Sequence, residues 1–343
     1  MPILRLLLRR LGVSLLVLLG VSVLIFCIAR IVPGDPARIA LGPNASEEQV
    51  EALRVERHLD EPIAVQYLYF LRDLAHGDLG TSLYTKRPVT ADIAAYLPAT
   101  LELVLVAGLM MIAFGLPLGI LSARFKGRGA DHLGRLLAVL TVCTPAFVWA
   151  VILQLLLAYV WPVFPLEGRL PSDAAAPPGV TGFYLVDSLL AGELRTFALA
   201  AYHLVLPALA LALAGIGQTA RLTRSSMIET YRRPYIEMSR AYGFAEARIA
   251  RRYAFRPALI PTLTILGLDF AALLANAFLV ERVFVWSGLS RYGVEVILRK
   301  DLDAIVGTVM VIAAMFLLTN LVVDVLVSVI NPRIRLGQGR AKA

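Results

Sequence analysis

The chain of 343 residues is 58% hydrophobic and only 17% charged, with a formal net charge of +8. Soluble domains carry on average about 25% charged residues, so this composition excludes an ordinary soluble globular protein. The charges are gathered into a few stretches between long apolar runs, which is typical of integral membrane proteins. Cys27 and Cys143 lie in such runs, without metal-binding or redox spacing.

Six apolar segments are long enough to cross a bilayer, whose hydrocarbon core requires roughly 20 residues per helix. The first is too long for the apolar region of a signal peptide, so we expect an uncleaved helix. Pro117 and Pro207 are tolerated inside membrane helices because neighbouring groups bond the freed carbonyls. The sequence predicts an all-α integral membrane protein with a single domain over residues 1–343. Its transmembrane helices are predicted at residues 11–30, 100–122, 136–160, 199–219, 259–280 and 304–330.

Arginine and lysine are distributed unevenly among the predicted connections. Nine arginines lie in residues 221–258, against Glu229, Glu237 and Glu246. Other basic residues precede the first helix, join the second to the third and follow the last: Arg5, Arg9, Arg10, Arg124, Lys126, Arg128, Arg135, Arg333, Arg335, Arg340 and Lys342. With six spans, all these basic stretches lie on the same side of the membrane. Cytoplasmic loops carry an excess of lysine and arginine, so we expect that side to be the cytoplasmic one. Both termini are therefore predicted to be cytoplasmic, and the net charge reflects topology rather than nucleic-acid binding.

Two segments are predicted on the external side, at residues 31–98 and 161–198. The first contains an expected short helix from Ser46 to Arg57, with Ser46 as the N-cap and glutamates in the first turn. The second is rich in proline and glycine, so we expect an irregular loop near the outer mouth.

The connection at 221–258 contains the most informative pattern. Residues 235–257 read YIEMSRAYGFAEARIARRYAFRP, which predicts two short amphipathic helices around Gly243. Glycine at that place is typical of a helix C-cap with positive φ. We expect Ile236, Ser239, Ala241 and Tyr242 on the packed side, and a shape suited to insertion into a groove of a cytoplasmic protein. An ordinary basic loop is the simpler interpretation of the same residues.

Ionisable and polar side chains inside the spans are functional candidates, because burying them in a bilayer is costly. Asp269 and Asn276 lie seven residues apart on nearly one face of the fifth span. They are candidates for the translocation path, although Asp269 could instead pair with Arg221 or Arg256. Asp324 is expected in a structural pairing, Gln154 and Gln218 in interhelical hydrogen bonds, and Glu102 at the interface. His132 and His203 are isolated, so no metal site is predicted.

Catalysis within this chain is not expected. The P-loop pattern G-x-x-x-x-G-K-[ST] is missing, so any ATP hydrolysis must occur on another chain. Ser225 and Ser226 have no histidine nearby, and no H-E-x-x-H is present. We predict a transport subunit without a cofactor of its own.

Several short motifs, each present once, follow one another in a characteristic order along nearly the whole chain. They are 8–11 (LRRL), 33–36 (PGDP), 76–80 (HGDLG), 100–103 (TLEL), 181–187 (TGFYLVD), 221–229 (RLTRSSMIE), 239–243 (SRAYG), 253–261 (YAFRPALIP), 320–324 (NLVVD) and 331–335 (NPRIR). In this order the chain resembles the permease subunits of binding-protein-dependent ABC importers, in their dipeptide, oligopeptide and nickel branch. Residues 235–257 resemble the EAA loop of these permeases, with Pro234 where the branch often has Asp and Arg256 where the general consensus has Pro.

The resemblance implies a type I ABC importer transmembrane domain in the bacterial cytoplasmic membrane, working by alternating access. It implies four kinds of partner: a second homologous permease, two cytoplasmic ATPases that bind ATP and Mg²⁺, an extracytoplasmic peptide-binding protein, and membrane lipid. The residues that it places at the ATPase contact are Tyr235, Glu237, Ser239, Arg240, Ala241, Gly243, Glu246 and Arg256.

Dipeptides or short peptides are the expected substrates. Nickel, glutathione and haem remain alternatives within the same importer class. A secondary transporter driven by an ion gradient is the alternative from another class, and it predicts inverted repeats and broken helices at mid-membrane.

Overall fold

A computed structural model of the chain describes residues 2–31, 36–42, 45–56 and 58–330. Across those ranges the fold is all-helical, and the only extended pairing is an isolated bridge between Thr81 and Pro88. Most of the PGDP motif and the whole NPRIR motif at 331–335 lie outside the described residues. The predicted all-α fold class is confirmed.

The helices in chain order are α1 to α14. Their bounds are α1 Pro2–Ile31, α2 Pro36–Leu41, α3 Glu47–Glu56, α4 Ile63–Ala75, α5 Val89–Arg124, α6 Gly129–Cys143, α7 Ala146–Gln154, α8 Tyr184–Leu190, α9 Leu194–Tyr231, α10 Pro234–Ala241, α11 Glu246–Arg248, α12 Phe255–Val283, α13 Leu289–Leu298 and α14 Leu302–Ile330. A π-helical segment, Leu155–Val160, continues α7, and another, Ile249–Ala254, joins α11 to α12.

Within the described residues, α1, α5, α9, α12 and α14 are long and apolar enough to cross a membrane. The third predicted span, 136–160, is not one straight helix, because α6 and α7 with its π-helical continuation meet at an angle of 106°. Pro145 explains the break: proline lacks an N–H and disfavours helical backbone in the residue before it, and Thr144 is extended (φ −101°, ψ 124°). The second span also begins earlier than predicted, at Val89.

Two ends of the helix bundle are distinguished by their connections. We call the end with residues 124–135 and 221–256 the basic end, and the end with residues 76–98, 161–193 and 284–301 the opposite end. The predicted Ser46 cap is confirmed before α3, where the Ser46 N–H donates to Gln49 Oε1 (3.1 Å) and the Gln49 N–H donates to Ser46 Oγ (3.3 Å). This reciprocal pair is a capping box.

Among the described helices, α5 and α9 share the most extensive contact, and glycines allow their backbones to approach closely. A Cβ atom at Gly119 of α5 would lie only 2.6 Å from the carbonyl oxygen of Ala220 on α9, and one at Gly115 would lie 2.8 Å from Cβ of Thr219. On α9 itself, a Cβ at Gly217 would lie 2.7 Å from the carbonyl oxygen of Ala138 on α6. In a membrane the hydrophobic effect does not drive helices together, so they associate largely through van der Waals packing. Small residues strengthen that packing because they let the two backbones approach closely.

The first and last helices are tied by one ion pair. Arg10 Nε lies 3.0 Å from Asp324 Oδ2, which joins α1 to α14 near the basic end. The structural pairing expected for Asp324 is therefore confirmed. Both side chains remain partly exposed, so solvent or lipid headgroups weaken this bond relative to a fully buried one.

The α5–α9 packing makes a stability prediction. We expect Gly119→Ala to lower the unfolding temperature of the purified protein, because its methyl group meets backbone that cannot move away easily. Gly12→Ala in α1 is the control, since a Cβ there has nothing within 4 Å. Thermal unfolding in detergent compares the two variants, and equal unfolding temperatures would contradict the close packing.

Candidate functional site

A helix–glycine–helix unit, residues 234–256, projects from the basic end. Its first helix, α10, begins with Pro234 in the first turn, where proline's missing N–H costs nothing. The helix ends in a Schellman motif, in which the Phe244 N–H donates to Ser239 O (3.2 Å) and the Gly243 N–H donates to Arg240 O (2.9 Å). Gly243 has φ +76°, so the positive φ predicted for it is confirmed.

An apolar cluster holds this unit on the helix bundle. Ile236 of α10 and Ile249 of the π-helical segment are fully buried against Met227 of α9. The buried alanines Ala123 and Ala258 add the ends of α5 and α12 to the same cluster. The unit is therefore in contact with three of the long helices, and a force applied to it would reach all three.

The outward face of α10 differs from the prediction. Ile236 and Ser239 are buried as expected, and Ser239 Oγ donates to Tyr235 O (2.7 Å). Ala241 and Tyr242, expected on the packed side, are exposed, and Tyr242 has 68% of its surface accessible. The reason is that α10 ends at Ala241 and the turn at Gly243 redirects the chain, so the helical periodicity does not extend to Tyr242.

Seven of the eight residues assigned to the ATPase contact are exposed. Ser239 alone is buried, so it supports α10 from behind. Arg240 and Glu246 form an ion pair across the glycine turn, with Nε 2.7 Å from Oε1. The exposed set is Tyr235, Glu237, Arg240, Ala241, Gly243, Glu246 and Arg256. Met238, which was not among the predicted contact residues, is 57% exposed between Tyr235 and Tyr242 and adds to an apolar patch.

Asp269 lies in α12 with its Oδ2 atom buried and without a hydrogen-bond partner in the described part of the chain. The pairing with Arg221 or Arg256 is not seen: Arg221 donates to Gln218 Oε1 (2.7 Å), and Arg256 is exposed. Asn276 is exposed on the same helix and donates to Ala272 O (3.0 Å). Asp269 therefore keeps an unused acceptor inside the bundle, which a positively charged group could fill.

The other polar residues of the spans have defined partners. Gln154 donates to Val283 O (3.0 Å), so its interhelical bond is confirmed, whereas Gln218 bonds within its own helix to Arg221. His203 Nδ1 lies 3.2 Å from Gly168 O, and His132 Nδ1 lies 2.6 Å from Arg135 Nη2. Among the described residues no group of His, Cys, Asp and Glu is arranged to hold a metal ion.

Glu102 is part of a buried ion pair at the opposite end, not an exposed residue at the interface. Arg169 Nη2 lies 2.7 Å from Glu102 Oε2, and both side chains are nearly inaccessible. Arg169 also donates to Gly182 O (3.0 Å) and lies 3.5 Å above the Tyr184 ring. The second external segment, 161–198, is thereby tied to α5.

Glu281 is a second buried carboxylate at this end, and its role was not predicted from the sequence. Its Oε2 accepts from the N–H groups of Ser290 (3.0 Å) and Arg291 (3.3 Å), and its Oε1 accepts from Thr100 Oγ1 (2.5 Å). The carboxylate thus caps the N-terminus of α13, an element that was also not predicted. A Cβ at Gly288 would lie 2.5 Å from the Glu281 carboxylate, so this approach requires glycine at that position.

Three further aspartates complete the opposite end. Asp301 accepts a hydrogen bond from Ser82 Oγ (2.6 Å), and Asp92 accepts one from the Tyr292 hydroxyl (3.1 Å). Burial and the nearby carboxylates raise the pKa of the Tyr292 hydroxyl. Burial alone would raise the pKa of Asp187, but bonds donated by Thr181 and the Gly182 N–H outweigh it and lower that pKa. These bonds make the opposite end a rigid cap.

The Arg169–Glu102 pair makes a second stability prediction. We expect Arg169→Met to lower the free energy of unfolding by about 3–5 kcal/mol, because it leaves a buried carboxylate without its partner. The control is Arg233→Met, which removes an exposed pair with Glu229 worth about 0.3–0.5 kcal/mol. Denaturation of both purified variants is the measurement, and a loss no larger than that of the control would refute the role of the pair.

Comparisons with known proteins agree with this architecture. Residues 115–336 match the family described as binding-protein-dependent transport system inner membrane component, and residues 3–104 match its N-terminal component. The chain is 44% identical over 325 residues to the probable D,D-dipeptide transport system permease protein DdpB of Escherichia coli (strain K12), covering 94% of this chain and 95% of that protein.

Two further relatives are similar over almost their whole length. The dipeptide transport system permease protein DppB of Escherichia coli (strain K12) is 37% identical, covering 97% of this chain and 99% of that protein. The di/tripeptide transport system permease protein DppB of Pseudomonas aeruginosa (strain UCBPP-PA14) is 38% identical, covering 95% and 97%. The resemblance inferred from the motifs is confirmed, and the chain belongs to the family of inner membrane components of binding-protein-dependent transport systems.

Proposed function

We propose that this chain is one of the two pore-forming permease subunits of an ATP-driven ABC importer that translocates dipeptides or short peptides across the bacterial cytoplasmic membrane. The observation that carries the proposal is near full-length similarity to relatives named as dipeptide and di/tripeptide permeases. The exposed helix–glycine–helix unit supports the same reading, because a secondary transporter driven by an ion gradient has no use for it.

In this proposal the basic end faces the cytoplasm, and both termini lie there. A cytoplasmic ATPase receives α10 in a groove, and the exposed apolar patch of Tyr235, Met238 and Tyr242 is the contact surface. ATP and Mg²⁺ bind to the ATPase chains rather than to this subunit. Closure of the ATPases moves α10, and the cluster around Ile236 transmits that movement to α5, α9 and α12.

The opposite end faces outward and receives substrate from an extracytoplasmic binding protein. A second homologous permease completes the pore against this chain. Asp269 on α12 then lies along the translocation path, where its unpaired Oδ2 meets the amino group of a zwitterionic peptide. In this proposal the long helices rock together, which opens the path to one side of the membrane at a time. The hydrogen-bonded connections of the opposite end keep their shape during that movement.

Gly243→Val tests the docking role of α10. The substitution leaves space for the side chain but forces valine into φ +76°, at a cost of about 1–2 kcal/mol. We expect the ATPase subunits to be lost on purification and dipeptide uptake to fall about tenfold or more.

Gly192→Val is the matched control at the opposite end. Gly192 has φ +72° and also has nothing within 4 Å of an added Cβ, so the strain is the same while α10 is untouched. We expect this variant to keep its ATPase subunits and its uptake. Normal uptake by Gly243→Val, or an equal loss in both variants, would remove the docking role.

Asp269→Asn tests the translocation path. It preserves the shape of the side chain and removes its charge, so the protein should reach the membrane in normal amounts. We expect the dipeptide concentration at half-maximal uptake to rise about tenfold, as for loss of a hydrogen bond to a charged group. Uptake indistinguishable from wild type at equal protein level would assign Asp269 a structural role.

A further inference from the structure

Val285, in the turn of residues 284–288 between α12 and α13, has a strained backbone. Its φ is +51°, in the left-handed region that residues other than glycine seldom enter. Non-glycine residues are disfavoured there by a factor on the order of five to thirty, because Cβ comes too close to the following carbonyl oxygen. The other described non-glycine residues with positive φ are His58, Lys86 and Lys300, and none of them is β-branched. Contacts outside Val285 must therefore hold its backbone in this conformation.

The residues on either side of Val285 fix the turn. Val285 itself is exposed, whereas Phe284 and Trp286 are buried. Trp286 Nε1 donates to Ala99 O on α5 (3.0 Å), and the Phe284 carbonyl accepts from the Gly168 N–H of the external segment (3.0 Å). The chain is thus bonded to one element before Val285 and to another after it, so its neighbours impose the positive φ.

Glu281 holds the same turn closed from inside. Its carboxylate accepts hydrogen bonds from Thr100 Oγ1 and from the N–H groups of Ser290 and Arg291, which bonds the end of α12 to both α5 and α13. Arg291 also donates from Nη1 to Val285 O (3.3 Å). A strained φ persists only where surrounding contacts over-determine it. The bonds of Glu281 therefore keep the turn closed, and the strain at Val285 opposes them.

The turn lies between a helix that moves in the proposed function and a region that keeps its shape. Helix α12 carries Asp269 and contacts the helix–glycine–helix unit through Ala258, whereas α13 belongs to the hydrogen-bonded opposite end. A tilt of α12 relative to α13 must change backbone dihedral angles in the turn, and hinges are residues at the ends of elements that absorb such changes. Strain at this place lowers the free energy needed to leave the closed conformation.

We propose that the α12–α13 turn is a strained hinge, in which Glu281 holds Val285 at positive φ and Val285 returns to negative φ when α12 tilts during transport. The inference rests on the proposed function, which supplies the tilt. A residue that tolerates positive φ at position 285 would stabilise the closed conformation and slow the departure from it. Stability and transport rate would then change in opposite directions.

Two substitutions relieve the strain by different routes. V285G removes the Cβ atom, and V285N keeps a side chain while tolerating positive φ, so it adds less freedom to the unfolded chain. V180G is the matched control, because Val180 is an exposed valine of the external segment without positive φ. Each variant is purified in the complete importer complex, and its thermal unfolding in detergent is measured. Dipeptide uptake and ATP hydrolysis are then measured in vesicles at equal protein content.

We expect V285N to unfold at a higher temperature than wild type, and both V285N and V285G to take up dipeptide about five- to tenfold more slowly, since strain no longer assists the departure. V180G gains no stability and keeps wild-type uptake. Higher stability of V285N with wild-type uptake would make the strain local and overturn the hinge. An unfolding temperature of V285N no higher than that of wild type would overturn the strain itself.

ATP hydrolysis separates failure of the hinge from failure of the proposed function. Lack of dipeptide uptake by the wild-type complex would contradict the proposed substrate, but hydrolysis coupled to the same movement still reports on the hinge. Slower hydrolysis in V285G and V285N than in wild type and V180G then supports it, and equal rates in all four complexes overturn it.

Discussion

Glycine at the crossing of α5 and α9 brings the backbone of one helix within van der Waals reach of the other. At Gly119 the neighbouring atom is a main-chain oxygen, which cannot rotate aside as a side chain can. Dispersion between packed surfaces is the main attraction available to helices in lipid, so close contact of this kind stabilises the bundle. Helix α9 holds α6 in the same way through Gly217, and α12 packs against both α5 and α9.

The two ends of the bundle are built differently around that centre. At the opposite end, buried carboxylates such as Glu102, Glu281 and Asp301 are each satisfied by hydrogen bonds or by Arg169. That end is consequently fixed in shape. At the basic end, apolar packing holds the rear of the helix–glycine–helix unit, while Tyr235, Met238 and Tyr242 face outward. A rigid cap at one end and an exposed contact surface at the other suit a subunit that converts movement of a partner into movement of its long helices.

Local features of the sequence were sufficient for much of this fold. Apolar length predicted the spans, the Ser46 capping box predicted α3, and glycine at 243 predicted a turn with positive φ, because each depends on a few neighbouring residues. The bend at Pro145 was not predicted, although its proline was visible, because the angle of 106° depends on how α6 and α7 pack. Pairs such as Glu102 with Arg169, 67 residues apart, carry no local signal at all.

The candidate site was predicted less completely than the fold. The segment of α10 was found from its pattern, but the exposure of Tyr242 depends on where that helix ends, which periodicity does not specify. Asp269 was singled out because a carboxylate in a span is costly, and its unpaired oxygen keeps it a candidate. The α13 cap by Glu281 was missed because a glutamate at the end of an apolar run looks like an ordinary interfacial charge.

Uptake of a labelled dipeptide is the most direct measurement of the central claim. Cells that lack this gene are compared with cells in which it is restored, and each is assayed with and without depletion of ATP. An ABC importer of dipeptides predicts that uptake requires both the gene and ATP. Uptake that is unchanged by loss of the gene would contradict dipeptide transport by this subunit, and uptake that needs the gene but survives ATP depletion would contradict an ATP-driven importer.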